Sequence, residues 1–249
     1  MESLQDEIRE IRKQLRLAMN GVISTSMREK GIVYKLNFGV PYPEIKEIAR
    51  KHKPNGELAA ALWKEDIREF KILATFLQPA EKLPLEEAKR WVKEIPYLEI
   101  AEHCCRNLFV HLPYMEDFTL DLVADKKNEF ARTVAFLTWT ENFKRGGSLS
   151  SVVLGSFLVE TLSSLAETKD FKSTLKEKQA SIQAMKFYGR QSEGNAERIL
   201  DGFKEFQEAV GNTPELQEIY NELRNINITD RKQKNKHNRE IKKALKGNK

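Results

Sequence analysis

Apolar residues at helical spacing run through almost the whole chain. The first such stripe consists of Leu4, Ile8, Ile11, Leu15 and Met19. Spacings of three and four residues place apolar side chains on one face of an amphipathic helix. Alternation typical of a strand is not convincing anywhere, and the nearest candidate, residues 31–38, is interpreted as a loop. With 12 Gly and 8 Pro in 249 residues, the chain is also poor in the turns that β-sandwiches and barrels need. We therefore expect an all-α protein.

Prolines and an Asn-Gly pair divide the periodic stretches into separate helices. The first predicted helix carries the stripe described above, and another starts near Pro41 and Pro43. The other predicted helices cover residues 22–29, 57–63, 65–78, 85–93, 97–112, 116–124, 128–143, 149–167, 171–191, 195–210 and 214–225. Two-helix units recur about every 30 to 40 residues, which is typical of stacked HEAT-type hairpins. We predict one HEAT-like α-solenoid over residues 1–230, curved with a concave groove built from the second helix of each pair. An unrelated helical bundle is the alternative that this pattern leaves open.

Positive charge is concentrated at the C-terminus. The chain has 42 Lys+Arg and 37 Asp+Glu, a net charge of +5. Residues 231–249 contain nine basic residues and one acid, Glu240, so this tail carries +8 and the preceding residues carry −3. A basic tail is typical of a solvated, disordered segment and equally of a salt-sensitive contact with nucleic acid. We predict a flexible basic tail after the folded domain, with either role open.

The two cysteines point to a reducing compartment. Cys104 and Cys105 are adjacent, so they cannot form an ordinary structural disulfide. His103 and His111 flank them, but the spacing fits no zinc motif, and we expect core cysteines beside surface or capping histidines. The chain also has no signal-peptide pattern and no apolar run long enough for a bilayer. We expect a cytoplasmic protein without metal or membrane contact, and a monomer because solenoids bury their core between repeats.

Three places carry residue types suited to chemistry or binding. The predicted helix over 97–112 places Glu99 and Glu102 three residues apart on one face, among apolar neighbours. A carboxylate in such a setting can stabilise a developing cation, although two solvated carboxylates in a first helical turn are the more common outcome. Arg132 lies in an apolar helix, so it must pair with an acid, extend to the surface or face a groove.

The third place is the sequence Lys-Phe-Tyr-Gly-Arg at residues 186–190. Aromatic residues interleaved with cations suit stacking on bases or contact with phosphates, although Phe187 and Tyr188 suit a core equally well. Elsewhere the sequence shows no glycine-rich phosphate loop, no Ser/His/Asp arrangement and no metal motif. We therefore expect no cofactor.

In these places the chain resembles the DNA alkylation repair glycosylases, the AlkD-like group of HEAT-like repeat proteins. The resemblance covers about residues 20–210. It rests on Phe-Gly-Val-Pro at 38–41, Leu-Trp-Lys at 62–64, Arg-Glu-Phe at 68–70, Glu-Ile-Ala-Glu-His at 99–103, Phe-Ala-Arg at 130–132 and Phe-Tyr-Gly-Arg at 187–190. It implies excision of N3- or N7-alkylated purines from double-stranded DNA by a carboxylate that stabilises an oxocarbenium-like sugar. It also implies that the lesion is not drawn into a deep base pocket.

The family's Trp-Asp-x-x-Asp motif falls on residues 98–102. The resemblance therefore implies that Glu102 stands at the catalytic aspartate and Leu98 at a sugar-contacting tryptophan. The longer glutamate displaces the carboxylate, and leucine offers no π face. Arg132 matches an arginine that holds the DNA backbone, and Phe187 matches a second sugar-contacting tryptophan. The candidate catalytic residues are Glu102 and Glu99, and the candidate DNA-binding residues are Arg132, Phe187, Arg190, Lys186 and Leu98.

Three functions stay open at this point. The chain is an active glycosylase for alkylated purines, a non-catalytic relative that binds distorted or branched DNA in the same groove, or a HEAT-like scaffold for other proteins. The substitutions at Leu98 and Glu102 affect the chemistry rather than the fold. They therefore keep the second hypothesis close to the first.

Overall fold

A computed structural model describes residues 3–165, 173–210 and 217–225, and these ranges are helical with no β-strand. The helices are α1 (Leu4–Leu17), α2 (Gly21–Glu29), α3 (Tyr42–Arg50), α4 (Gly56–Lys64), α5 (Arg68–Leu77), α6 (Leu85–Lys93), α7 (Leu98–Asn107), α8 (Met115–Ala124), α9 (Ala131–Lys144), α10 (Ser151–Ser163), α11 (Leu175–Arg190), α12 (Glu193–Val210) and α13 (217–225). The predicted all-α class is confirmed.

Two compact units make up the chain, Met1–Val134 and Ala135–Lys249. In the first, α5 packs against α4, α3 and α7, so successive helical hairpins lie side by side. In the second, α10, α11 and α12 pack against one another. A single domain over residues 1–230, its curvature and its concave groove stay predictions, and the basic tail lies outside the described residues. Within the described ranges, no helix is long and apolar enough to cross a membrane.

Helix starts follow the signals that the sequence offers. Asn20 and Asn55 cap α2 and α4 with side-chain oxygens that accept backbone N–H groups of the first turn. Prolines precede the first residues of α3 and α6. The predicted helix over 65–78 starts late, at Arg68, because Ile67 is extended and forms an isolated bridge with Leu36.

The predicted helix over 97–112 is interrupted. Helix α7 ends at Asn107, because Leu108 leaves the helical conformation with φ −131° and ψ −62°. A short 3₁₀ turn, Phe109–His111, then leads towards Pro113. Cys104 and Cys105 are buried free thiols, as predicted. His103 is buried as well, so the expectation of a surface or capping residue was wrong at this position.

Aromatic side chains form the centre of each unit. In the first unit, Trp63 and Trp91 stack with ring centroids 4.2 Å apart, and both are almost fully buried. Their indole N–H groups donate to Glu94 and Glu87, so each ring buries its apolar body with its polar group satisfied. In the second unit, buried rings cluster between α9, α10 and α11, and they belong to Trp139, Phe143, Phe157 and Tyr188.

Candidate nucleic-acid interface

A fully buried carboxylate holds the loop before α3 onto α5. Glu69 accepts the backbone N–H groups of Phe38 at 3.1 Å and Val40 at 3.2 Å. Its Oε1 also accepts a hydrogen bond from Arg68 at 3.0 Å. A buried charge is tolerated when it is paired and hydrogen-bonded in this way. The Phe-Gly-Val-Pro loop and the start of α5 therefore form one rigid piece.

Arg68 connects that piece to α7. Its Nε and Nη2 atoms donate to the two oxygens of Glu99 at 2.9 and 2.5 Å, and its Nη1 atom donates to the carbonyl of Val40 at 3.0 Å. The two parallel bonds to one carboxylate are the strongest geometry for an Arg–carboxylate pair. Arg68 is only 5% exposed. Because Arg68 binds both oxygens of Glu99, this pair holds the first turn of α7 against the start of α5, and we call Glu99 the anchor of α7. The predicted catalytic role of Glu99 stays a prediction, and these contacts do not support it.

Burial alone would raise the pKa of Glu99, but the polar contact with His103 and the hydrogen bonds and charge of Arg68 outweigh it. Together they lower the Glu99 pKa from 4.5 to about 2. His103 Nε2 lies 3.9 Å from Glu99 Oε1, and its ring stacks on Tyr42 with centroids 4.6 Å apart. The charged form of Glu99 is therefore the stable one in the folded protein at neutral pH.

This lowered pKa predicts a pH-dependent contribution of Glu99 to stability. In the unfolded chain Glu99 titrates near 4.5, and in the folded protein near 2. The contribution is therefore fully present above about pH 4.5 and is lost as the pH falls towards 2. At neutral pH, E99Q should lower the free energy of unfolding by about 2 to 3 kcal/mol. Urea unfolding of both proteins from pH 7 to pH 2 checks this, and a difference that does not shrink with acid would contradict it.

Aromatic side chains that sequence reasoning did not select surround this anchor. Tyr34 packs edge-on against Tyr97 with ring centroids 5.0 Å apart, and Tyr97 exchanges hydrogen bonds with the backbone of Val33. The Tyr34 hydroxyl and His103 Nδ1 are buried without a hydrogen-bond partner among the described residues. Burial is the main reason that the pKa of Tyr34 is raised. The sequence signal for this cluster around Arg68 and Glu99 is the Arg-Glu pair at residues 68–69, to which no role was assigned from the sequence.

Glu102 is more exposed than Glu99 and has fewer contacts. It lies on the same helix but is exposed, and it makes no hydrogen bond or ion pair with any residue of the described ranges. Leu98, the first residue of α7, is half-buried. Of the two candidate catalytic carboxylates, Glu102 is the exposed one, whereas the side chain of Glu99 is 27% exposed and paired with Arg68.

Arg132 is buried in the second position of α9. It is 5% exposed, and its Nη1 atom donates to the carbonyl of Val123 at 3.3 Å. This is the interior setting that an apolar helix favours, with the guanidinium satisfied by neighbours of its own chain. A contact with a DNA phosphate therefore requires this segment to rearrange, and the predicted role of Arg132 stays a prediction.

In the second unit, the cations of residues 186–190 are paired with acids of α13. Lys186 Nζ lies 2.8 Å from Glu218 and 3.2 Å from Glu222, and Arg190 lies 2.5 Å from Glu222. Tyr188 packs into the aromatic core between α10 and α11. The motif therefore serves the packing of its own unit, in addition to any role with DNA.

Phe187 contacts cations of its own chain, and its predicted role in DNA binding stays a prediction. It is half-buried, and two cations lie near its ring, Lys144 Nζ at 4.9 Å and the Arg190 guanidinium carbon at 5.1 Å from the centroid. Both distances are within the range of a cation–π interaction. The structure thus brings Phe187, Lys186 and Arg190 together on α11 and places Leu98, Glu99 and Glu102 together on α7. No group of His, Cys, Asp or Glu suited to a metal ion occurs in the ranges described.

These features define a helical-repeat protein of the HEAT-like class. A sequence model described as "DNA alkylation repair enzyme" matches residues 11–196, and the chain belongs to that family. A solved structure described as "A new family of proteins related to the HEAT-like repeat DNA glycosylases with affinity for branched DNA structures" has a similar fold, with a TM-score of 0.64 and 14% sequence identity. The match covers 77% of this chain and 82% of that chain. No curated protein matches the sequence.

Proposed function

We propose that this protein binds double-stranded DNA and excises purines alkylated at N3 or N7, with Glu102 as the catalytic carboxylate. The observation that carries the proposal is the contrast on α7. Glu102 is exposed and unpaired among the described residues, at the motif position that the family resemblance implies, whereas Arg68 neutralises Glu99. An anion that approaches a sugar acts best without internal partners, and Glu102 has none within the described ranges.

Excision of an alkylated purine requires mainly a well-placed negative charge from the protein. An N3- or N7-alkylated purine is cationic, so it leaves as a neutral base with the electron pair of the N-glycosidic bond. Positive charge develops at C1′ and the ring oxygen of the deoxyribose, and a nearby carboxylate stabilises it. Water then adds to C1′ and loses a proton. Two charges about 4 Å apart attract by about 1 kcal/mol in water and by about 4 kcal/mol near a protein surface. Bound DNA that excludes water from Glu102 would therefore strengthen its effect.

A buried hydrogen-bond network fixes the helix that carries Glu102. Glu69, Arg68 and Glu99 link the loop before α3, the start of α5 and the first turn of α7. Glu102 follows Glu99 by three residues on the same helix. A functional group on a helix whose neighbours are locked by hydrogen bonds is held more precisely than one on a loop. This rigidity supports the proposal because electrostatic stabilisation depends on a preset position.

Replacing Glu102 with glutamine is expected to slow the release of 7-methylguanine and 3-methyladenine from alkylated duplex DNA about 100-fold or more, because the amide removes the charge but keeps the shape. The side chain is exposed, so the free energy of unfolding should change by less than about 0.5 kcal/mol. Glu81→Gln, an exposed change of the same type in the same unit, serves as the matched control and should release both bases at the wild-type rate. Release of both bases is measured by chromatography of the soluble fraction.

A second candidate function is binding of branched DNA without excision. Leu98 supplies no aromatic ring where the resemblance implies a tryptophan, and Arg132 is buried. The missing ring at Leu98 weakens contact with the sugar of one damaged nucleotide more than it weakens binding of DNA in general, whereas the burial of Arg132, which matches an arginine that holds the backbone, affects both candidate functions. The similar solved structure is described as having affinity for branched DNA structures.

The two candidates are separated by one set of measurements. Absence of base release by the wild-type protein at high concentration would overturn the excision proposal. Tighter binding of a four-way junction than of a duplex would then support the second candidate. Absence of binding to duplex, nicked and branched DNA would leave the protein scaffold as the remaining hypothesis. The monomeric state and the cytoplasmic location stay predictions.

A further inference from the structure

Two rows of opposite charge face each other between α11 and α13. Lys186 and Arg190 lie four residues apart on one face of α11, and Glu218 and Glu222 lie four residues apart on the facing side of α13. The pairs are mutual, because Glu222 contacts both cations and Lys186 contacts both acids. Exposure is uneven across the network, with Arg190 47% and Glu218 71% exposed. Lys186 and Glu222 are less open, at 17% and 26%, so Arg190 and Glu218 are the parts of the network most within reach of a ligand.

Apolar contacts beneath the charges already dock α13. Ile219 and Leu223 are fully buried. Leu223 lies directly over Gly189, where an added Cβ would come within 2.4 Å of its Cδ2 atom. Gly189 thus permits the close approach of the two helices. Ion pairs at a solvent-exposed surface contribute little to stability. The exposed ends of the row, Arg190 and Glu218, therefore add little to the docking of α13, and these ion pairs can exchange partners while Ile219 and Leu223 keep the helix in place.

We propose that Lys186 and Arg190 form a binding surface for the phosphodiester backbone of DNA, which Glu218 and Glu222 occupy in the free protein in place of two phosphates. This inference rests on the proposed function, since it assumes that the protein binds DNA. Guanidinium and ammonium groups are the usual protein contacts of phosphates, and glutamates offer the same kind of anionic oxygen. Phe187 lies on the same helix with its ring near Arg190, so a nucleotide held there would also meet an aromatic ring.

The proposal has a quantitative consequence for salt dependence. If phosphates replace the two glutamates, DNA binding is opposed by the two carboxylates that must be displaced. Each phosphate contact contributes about 0.9 to the slope of log K against log salt, so a fourfold rise in salt weakens each contact roughly threefold. In the wild-type chain the displaced carboxylates offset part of the slope that the two cations contribute. Without the carboxylates no ion pair has to break, so binding should tighten about tenfold at moderate salt, and the slope should steepen by up to about 1.8.

The test compares E218Q/E222Q with the wild-type chain. The probe is a fluorescein-labelled, unmodified duplex, and binding is measured by fluorescence anisotropy at several KCl concentrations. D201N/E205Q is the matched control, because it removes two exposed acids four residues apart on α12 of the same unit and changes the net charge equally. E218Q/E222Q should bind about tenfold more tightly, and the control should change by less than about twofold. Far-UV circular dichroism and Tm report whether both variants keep the fold.

A third variant ties the gain to the cations. In the E218Q/E222Q background, K186A/R190A should remove the gain in affinity and the change in slope. An equal gain in the D201N/E205Q control, a gain that survives K186A/R190A, or no gain at all would overturn the inference. If the wild-type chain binds DNA and E218Q/E222Q binds equally, only this inference fails. If neither the wild-type chain nor E218Q/E222Q binds DNA even at low salt, both this inference and the proposed function fail. Loss of base release in E102Q bears on excision alone.

Discussion

Replacement of Glu69 by alanine is expected to lower the free energy of unfolding by about 3 to 5 kcal/mol. The side chain is fully buried, and its two oxygens accept hydrogen bonds from two backbone N–H groups and from Arg68. Alanine leaves both N–H groups without an acceptor and removes one of the two carboxylates that neutralise Arg68. Urea denaturation followed by circular dichroism measures the loss.

Replacement of Glu69 by glutamine tests separately whether both oxygens must be acceptors. Both oxygens of Glu69 are acceptors, so the amide NH₂ of glutamine would face a backbone N–H group. E69Q should therefore still cost about 1 to 3 kcal/mol, although it fills the same volume. Glu81→Ala, at an exposed position of the same unit, should stay within about 0.5 kcal/mol of the wild type. A loss below about 1 kcal/mol in E69A would contradict the role assigned to Glu69.

The effect should extend to α7, because Arg68 bonds to both carboxylates. Its Nη1 atom donates to Glu69, and its Nε and Nη2 atoms donate to Glu99. Losses from E69A and E99Q are therefore expected to be non-additive, with a coupling of about 0.5 to 3 kcal/mol in a double-mutant cycle. Strict additivity would mean that the loop before α3 and the first turn of α7 are held independently.

Helix positions could be predicted where local signals decide them. Helix α6 is predicted residue for residue, since Pro84 marks its start and Pro96 limits its extension. The break at Leu108 could not be predicted, because neither Gly nor Pro stands there and the backbone departs within an otherwise helical pattern. The boundary at Ile67 is similar, since its extended conformation comes from a bridge to Leu36 in another repeat.

The candidate site was harder to predict because its partners come from the neighbouring repeat. Arg68 meets Glu99, and Glu69 meets the N–H of Phe38, each at a separation of 31 residues. Lys186 and Arg190 meet their acids at a separation of 32 residues. The sequence indicates a period of about 30 to 40 residues but not this register. Charged residues of the right type can therefore be identified from the sequence, but not which of them are neutralised inside the fold.

Gly39 is the position where substitution should be least tolerated for purely steric reasons. Its φ of +69° is unfavourable for any residue with a Cβ, and an added Cβ would lie 2.1 Å from the carbonyl oxygen of Asn20 and 2.8 Å from the backbone nitrogen of Ser24. Both are backbone atoms at the start of α2, so no side-chain rotation can relieve the overlap. Hydrogen bonds from Asn20 N to Phe38 and from Ser24 Oγ to Asn37 hold the loop against this turn.

Gly39→Ala should therefore lower the free energy of unfolding by about 3 kcal/mol or more, of which the left-handed backbone accounts for about 1 to 2 kcal/mol. Gly31→Ala isolates that backbone cost, because Gly31 has a similar φ of +82° but no atom within 4 Å of an added Cβ. Equal losses in the two variants would show that the loop yields to the methyl group without cost. A larger loss at Gly39, measured by urea denaturation, would show that the loop is wedged between α2 and the carboxylate of Glu69. That wedge would explain why the Phe-Gly-Val-Pro sequence stands there.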